Sequence, residues 1–318
     1  MGAAHQNTAR PEPGEGCPPK VFGGMVTRTA GPRPWGRWRD VRAANTKEDE
    51  GVNASEVLVT GGTGSLGHRV VNRLRGPGCE VRTLSRSARG AGVVRGDLLT
   101  GEGLARALKG VDVLIHCASS LHKTRQTDVE GTERLLEAAS WAGVSHVIFV
   151  SIVGIDRNPY LPYYRSKLEA ERIVEQSPVP WTILRATQFH EFVLKQIRLL
   201  ERVPIMMAPR GFLLQPMDIG EVADRLVELS LSEPAGRVPD IGGPEVRTLP
   251  NLARAYLKAT GRRQRIVEIP VPGKAARALR KGAQLAPDQA YGEVRWEEFL
   301  SQTIQPKRDD GIKGGERP

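Results

Sequence analysis

Residues Val59-Thr-Gly-Gly-Thr-Gly-Ser-Leu-Gly67 decide the fold. They end a short apolar run, Glu56 to Thr60, and open a segment in which Leu66, Val70, Val71 and Leu74 recur at helical spacing. Glycines at 61, 64 and 67 between a strand and a helix predict a phosphate cradle. Gly61 permits the tight turn, Gly64 lets backbone approach a pyrophosphate, and Gly67 lets the helix pack close to the strand. The free amides and positive end of the helix then face the phosphates, with Thr60, Thr63, Ser65 and Leu66 in the contact surface. No Gly-Lys-Ser/Thr follows, which excludes a mononucleotide phosphate loop.

On either side the pattern alternates strand and helix. Strands are predicted at 56–60, 80–84, 92–95, 111–116, 146–151 and 181–184, and helices at 66–74, 104–108, 126–141 and 163–175. Six short apolar strands alternating with amphipathic helices specify an α/β fold, a Rossmann-type doubly wound parallel sheet covered on both faces. Residues 185–305 are less regular, with helices near 191–201, 219–231, 249–260 and 274–281 and a short strand at 265–268. They read as a small C-terminal substrate-binding cap within one domain spanning 54–305.

The ends differ. Residues 1–53 alternate Pro with Gly and show no apolar period, so they read as disordered, or as an over-long start with Met25 as one alternative initiator. Trp35 and Trp38 there form a candidate docking motif. Residues 306–318 read as a polar tail.

Apolar residues make up 39% and charged residues 26%, the balance of a soluble globular chain. The longest apolar stretch, Val144 to Ile155, has a strand's length and is too short for a bilayer span. With no secretory signal, the expected location is cytoplasmic. Lys plus Arg number 46 against 36 acids, a net +10. The basic residues are interleaved with acids, which reads as a solvated surface, and no aromatic-plus-basic module points to nucleic acid. Cys17, Cys79 and Cys117 are odd in number and widely spaced, and the six histidines form no His-Glu-x-x-His, so neither a disulfide framework nor a metal site is expected. The expected partner is a small-molecule substrate, with a homodimer left open.

The end of the second strand selects the dinucleotide. An acid there would favour NAD; this chain has Thr83-Leu-Ser-Arg-Ser87. Ser85 can donate to a 2′-phosphate, and Arg86 can pair with it bidentately, with Arg89 in support. NADP is favoured, with NAD as the alternative if Arg86 is simply a surface arginine. Asp97, after the third strand, is placed to accept from the adenine amino group, with a helix cap as its competing role.

These residues resemble the short-chain dehydrogenase/reductase superfamily, in its atypical, NmrA-like NAD(P)H-binding branch. The likeness rests on Thr60 to Gly67, Gly96-Asp-Leu98, His116-Cys-Ala118, Ser151, Tyr163 with Lys167, and Leu184-Arg-Ala-Thr-Gln-Phe189, and spans roughly residues 56–302. It implies a Rossmann core, an NAD(P) cofactor and a carboxy-terminal substrate region. It also implies cofactor contacts at Leu98, Cys117 and Ala118, and at Ala186, Thr187 and Gln188 beside the nicotinamide carboxamide. Ser119 is expected on the nicotinamide side. For Thr187, a capping role competes.

Tyr163 and Lys167 are four apart and share one helix face. A lysine ammonium beside a phenol favours the phenolate, so Tyr163 can exchange a proton with the oxygen of a carbonyl/alcohol pair while hydride moves to or from nicotinamide. Lys167 can also hold the nicotinamide ribose, and Ser151 can bond the same substrate oxygen. In superfamily terms these three look like the Ser, Tyr, Lys triad. Tyr164 competes with Tyr163, and a Lys167–Glu171 surface pair competes with the catalytic reading. Three functions follow: an NADP-dependent oxidoreductase on a small carbonyl, enone or quinone, a non-catalytic NADP(H) sensor, or a sugar-nucleotide epimerase or dehydratase.

Overall fold

The computed structural model describes residues 55–75, 79–87 and 89–304. The stretch 1–53, with Trp35 and Trp38, and the tail 306–318 lie outside the described residues. Strand β1 (Ser55–Thr60) leads to helix α1 (Ser65–Leu74), then β2 (Cys79–Ser85), β3 (Val93–Arg95), α2 (Leu104–Leu108) and β4 (Val113–His116). A π-helical turn, Arg125–Glu130, runs into α3 (Gly131–Ala142), followed by β5 (His146–Ile152), α4 (Pro162–Gln176) and β6 (Trp181–Ala186). Beyond these come α5 (His190–Leu200), β7 (Ile205–Pro209), β8 (Leu213–Leu214), α6 (Ile219–Ser230), β9 (Gly236–Arg237), β10 (Arg247–Thr248), α7 (Leu249–Ala259), β11 (Arg265–Ile269), α8 (Lys274–Arg280) and α9 (Trp296–Thr303).

The main sheet has the order β3-β2-β1-β4-β5-β6-β9, and every neighbouring pair is parallel. This is the doubly wound arrangement that the alternation predicts. The winding direction reverses between β1 and β4, which leaves a crevice beyond their carboxyl ends. Burial on both faces explains the composition of the central strands: all of β4 and six of seven residues of β5 are buried. On one face Leu58, Leu114, Phe149 and Ile183 pack with Leu135 and Ala139 of α3 and Ala170 and Val174 of α4.

The chain after β6 serves two layers. Helix α6 packs on α1, tied by an Arg73–Asp224 ion pair, and β9 extends the main sheet. Helices α5, α7 and α9 and strand β7 enclose a second core of Leu194, Ile197, Met206, Leu252, Trp296 and Phe299. Two small sheets belong to this part, β10 with β8 and β11 with β7.

Several boundaries shift for physical reasons. Val111 donates its amide to Leu108, so it closes the turn after α2 and β4 starts later. The helix expected over 126–141 begins as a π-turn, which gives its first turn a different phase from the rest. Strand β9 has only two residues, too few for any periodicity to register.

Candidate active site

The glycine turn and the start of α1 form one wall of the crevice. Gly61 has φ +67°, and a Cβ there would stand 2.7 Å from the Ala118 amide nitrogen, so only glycine lets β1 turn against the end of β4. A Cβ on Gly67 would collide with the Gly61 carbonyl oxygen. Gly64 differs: its Cβ would meet one protein atom, the Gly61 oxygen at 3.2 Å, and otherwise open space. The protein's own packing therefore leaves room beside Gly64. No side chain caps α1, whose N-cap is Gly64 itself, and Thr63, Gly64 and Ser65 are exposed. A helix N-terminus whose amides no side chain caps fits a diphosphate.

At the end of β2, Ser85 receives the Ser87 amide at 3.3 Å, and Arg86 and Arg89 are exposed. Asp97 accepts from the Leu99 amide at 2.9 Å within its own turn, while Thr100 receives Glu102 at 3.2 Å. Leu98 is buried in the core beside them.

Beneath the turn runs a buried chain of hydrogen bonds whose directions can be assigned. Thr132 donates its hydroxyl proton to the Asp128 carbonyl at 2.6 Å, so its oxygen accepts from His116 Nε2 at 3.0 Å. His116 Nδ1 is then the bare nitrogen and accepts from Thr60 Oγ1 at 2.6 Å, whose oxygen accepts in turn from the Ala118 amide. Burial first, and the Lys167 charge second, push the His116 ring down to about 3, so it is neutral. The side chain of Thr60 thus fastens the turn to the 117–120 loop. Burial also pushes the Cys117 thiol up to about 12 against the opposing pull of Lys167, so it stays protonated.

Lys167, Ser119 and Tyr163 are linked through an unpredicted residue, Asp128. Lys167 Nζ lies 3.4 Å from Asp128 Oδ1 and 4.4 Å from the centre of the Phe149 ring. Asp128 is 1% exposed and Lys167 4% exposed, so this is an ion pair out of water's reach. Ser119 Oγ donates to Asp128 Oδ1 at 2.5 Å, and the Ser120 amide donates to Oδ2 at 3.2 Å. The Ser119 proton being committed, its oxygen accepts from the Tyr163 hydroxyl at 3.0 Å. Tyr163, Ser119, Asp128 and Lys167 are one connected unit.

Tyr164 points elsewhere. It is buried, bonds Gln284 at 3.3 Å, and burial pushes its hydroxyl up to about 12. Glu171 is held bidentately by Arg185 at 2.7 and 2.5 Å, so it is Arg185 and not Lys167 that it pairs with. Ser151, near the carboxyl end of β5, is 3% exposed and its hydroxyl has no hydrogen-bond partner among the described residues. An orphaned buried hydroxyl normally costs stability, which points to a ligand that completes it.

On the far wall, Thr187 donates its hydroxyl to the Gln215 carbonyl at 2.5 Å and its amide to Ile241 at 3.0 Å. Both donors are used within the protein, so Thr187 presents no free donor to this wall. Gln188 spans Gln215 and Gln284, and Ala186 is buried. The Arg157 guanidinium holds the Leu285 carbonyl at 3.0 Å, which fixes the 283–286 segment across the cap side of the cleft. Asp218 caps α6 through the Gly220 amide at 2.7 Å. Among the described residues no group of His, Cys, Asp or Glu is arranged to hold a metal, and no helix is long and apolar enough to cross a membrane.

A parallel sheet whose switch point carries a glycine-rich, uncapped helix N-terminus is the construction of a dinucleotide-binding protein. Comparison with known proteins agrees. The model of an NAD(P)H-binding family matches residues 61–202. A (4-alkanoyl-5-oxo-2,5-dihydrofuran-3-yl)methyl phosphate reductase of Streptomyces griseus is 30% identical over 227 residues, covering 68% of this chain and 77% of that protein. The photosystem II assembly factor Ycf39 of Trieres chinensis is 29% identical over 230 residues, covering 68% and 72%. Among solved structures, an NADPH-dependent quinone oxidoreductase of Escherichia coli in complex with NADPH superposes with a TM-score of 0.65 at 21% identity, over 78% of this chain and 99% of that one. The chain belongs to an NAD(P)H-binding protein family.

Proposed function

We propose that the protein is an NADP(H)-dependent oxidoreductase acting on a small carbonyl, enone or quinone. The observation that carries this reading is the buried Lys167–Asp128 pair joined through Ser119 to the Tyr163 hydroxyl, at the crevice that the glycine turn borders. A protein that only sensed the cofactor would have no use for a proton donor braced in this way.

The amides around Gly61, Thr63, Gly64, Ser65 and Gly67 would hold the diphosphate, Ser85 and Arg86 the 2′-phosphate, and Asp97 the adenine. Ala118 and Ser119 would border the nicotinamide side. The bound cofactor supplies the hydride. Tyr163 swings its proton from Ser119 to the substrate oxygen, and Ser151 donates a second bond to that oxygen. Lys167, anchored by Asp128 and joined to Tyr163 through Ser119, would offset the charge that develops as the proton leaves. Lys167 would also hold the nicotinamide ribose.

The likeness to proteins named as reductases supports this reading. The likeness to assembly factors favours a second one, a cofactor-binding protein that acts through a protein partner. Screening carbonyls and quinones for oxidation of NADPH separates the two. The first reading expects turnover of at least one compound, and its loss by about a hundredfold or more in Tyr163→Phe. Turnover at the wild-type rate in that variant would refute the proton-donor role.

A further inference from the structure

Folding gathers charge that the linear sequence disperses. Residues 195–210 and 262–281 together carry eleven Lys or Arg and two Glu, close to the whole of the chain's excess of +10. Elsewhere acids and bases nearly balance. The fold brings the two segments together: β7 pairs with β11, Gln264 donates to the Val203 carbonyl, and Arg210 donates to the Glu268 carbonyl at 3.3 Å. The solvated, evenly mixed surface expected from sequence does not hold for this face. Among the described residues only one of the eleven cations, Arg262, forms an ion pair, with Glu201.

The same face is apolar at its centre. Met206 and Ala208 of β7 point into the cap core, and the alternate residues Ile205 and Met207 are 46% and 52% exposed. Parallel register sets Arg265 opposite Ile205 and Val267 opposite Met207, so those residues share the outer face. Leu199 and Val203, on the approach to β7, are 56% and 45% exposed. Such a concentration of exposed large apolar side chains marks an interaction surface. At one end Arg254, Lys258, Arg262 and Arg263 line a shallow depression of about 320 Å³.

We propose that the β7–β11 face docks on an anionic lipid bilayer. Unpaired cations would meet the headgroups, while Leu199, Val203, Ile205 and Met207 would enter the boundary between headgroups and acyl chains. Charge alone would suit any polyanion. The apolar centre is what selects a lipid surface, because a nucleic acid backbone offers nothing to cover it. Lys274, one of the eleven cations, stands over the Tyr160 ring at 5.7 Å, three residues before Tyr163 in the chain.

Co-sedimentation of the full chain with vesicles tests this. Binding is expected to phosphatidylcholine vesicles containing about one-third phosphatidylglycerol, and not to pure phosphatidylcholine. Reversing Arg263 and Arg265 together (R263E, R265E) is expected to weaken binding about twentyfold or more. Ile205→Ser with Met207→Ser is expected to weaken it at least about tenfold while leaving NADPH affinity unchanged. Equal binding to both kinds of vesicle would overturn the proposal. So would anionic binding indifferent to the Ile205 and Met207 changes, or duplex DNA competing as well against the double-serine variant as against the wild type.

Discussion

The Lys167 ammonium sits 3.4 Å from the Asp128 carboxylate, with both side chains enclosed by protein. The two groups come from different elements, α4 and the π-turn before α3, and each supplies the charge that the other needs in order to be buried. Removing one leaves the other charge uncompensated. Lys167→Met is expected to destabilise by about 3–5 kcal/mol, and the double variant Lys167→Met with Asp128→Asn by clearly less. Urea unfolding of these two variants and of Asp128→Asn alone gives the coupling; strictly additive losses would show that the pair does not act as a unit.

Tyr163→Phe removes one hydroxyl from a half-buried ring and leaves the glycine cradle untouched. The expected outcome is a fall in kcat of about a hundredfold or more with NADPH affinity within about a factor of two of wild type. A parallel loss of affinity would mean that Tyr163 holds the cofactor and does not move the proton.

His116 makes stability pH-dependent. Its ring is held down to about 3 in the fold, against an ordinary value of 6.5. Below the ordinary value the unfolded chain takes up a proton that the folded chain refuses, so stability is lost as the pH falls. The loss from this residue approaches about 1.4 kcal/mol per pH unit. His146 and His190, also lowered by burial, add in the same direction. The urea midpoint is expected to be lower at about pH 5.5 than at about pH 7.5, with a shallower dependence in His116→Asn. Equal wild-type midpoints would contradict the buried neutral ring.

Arg86 projects from the end of β2 without a partner among the described residues, beside the Ser85 and Ser87 hydroxyls. NADPH is expected to bind more tightly than NADH, and Arg86→Ala to narrow that preference about tenfold or more by removing a charge-assisted pair. Wild-type affinities that are equal for the two coenzymes would take Arg86 out of the 2′-phosphate site.

Much of the architecture was legible because it rests on local signals. The glycine spacing announces the turn, and the buried runs of β4 and β5 announce parallel strands. Tyr163 and Lys167 were legible as a helix pair. Asp128 was not, because among Arg125, Gln126, Glu130 and Glu133 it reads as one more solvated charge. One signal pointed to it: Asp128 stands four before Thr132 and seven before Leu135, on the face that the buried Leu135 and Ala139 define. Its partner Lys167 arrives from a separate helix, which no local pattern reveals. The cationic face was illegible for the same reason, since its two segments meet only when β7 pairs with β11. Ser151 was identified by position, but that its hydroxyl would lack a partner depends on the packing around β5.

The most direct test of the central claim, that a nicotinamide dinucleotide lies with its diphosphate against the glycine turn, is calorimetric titration of NADPH into the wild-type protein and Gly64→Ala. The added Cβ would meet only the Gly61 oxygen at 3.2 Å within the protein, so the variant is expected to keep its thermal midpoint within a few degrees. It is expected to bind NADPH at least about tenfold more weakly, because the methyl group fills the space of the diphosphate. Undiminished NADPH affinity in a folded Gly64→Ala protein, or no binding heat with the wild type, would contradict the account.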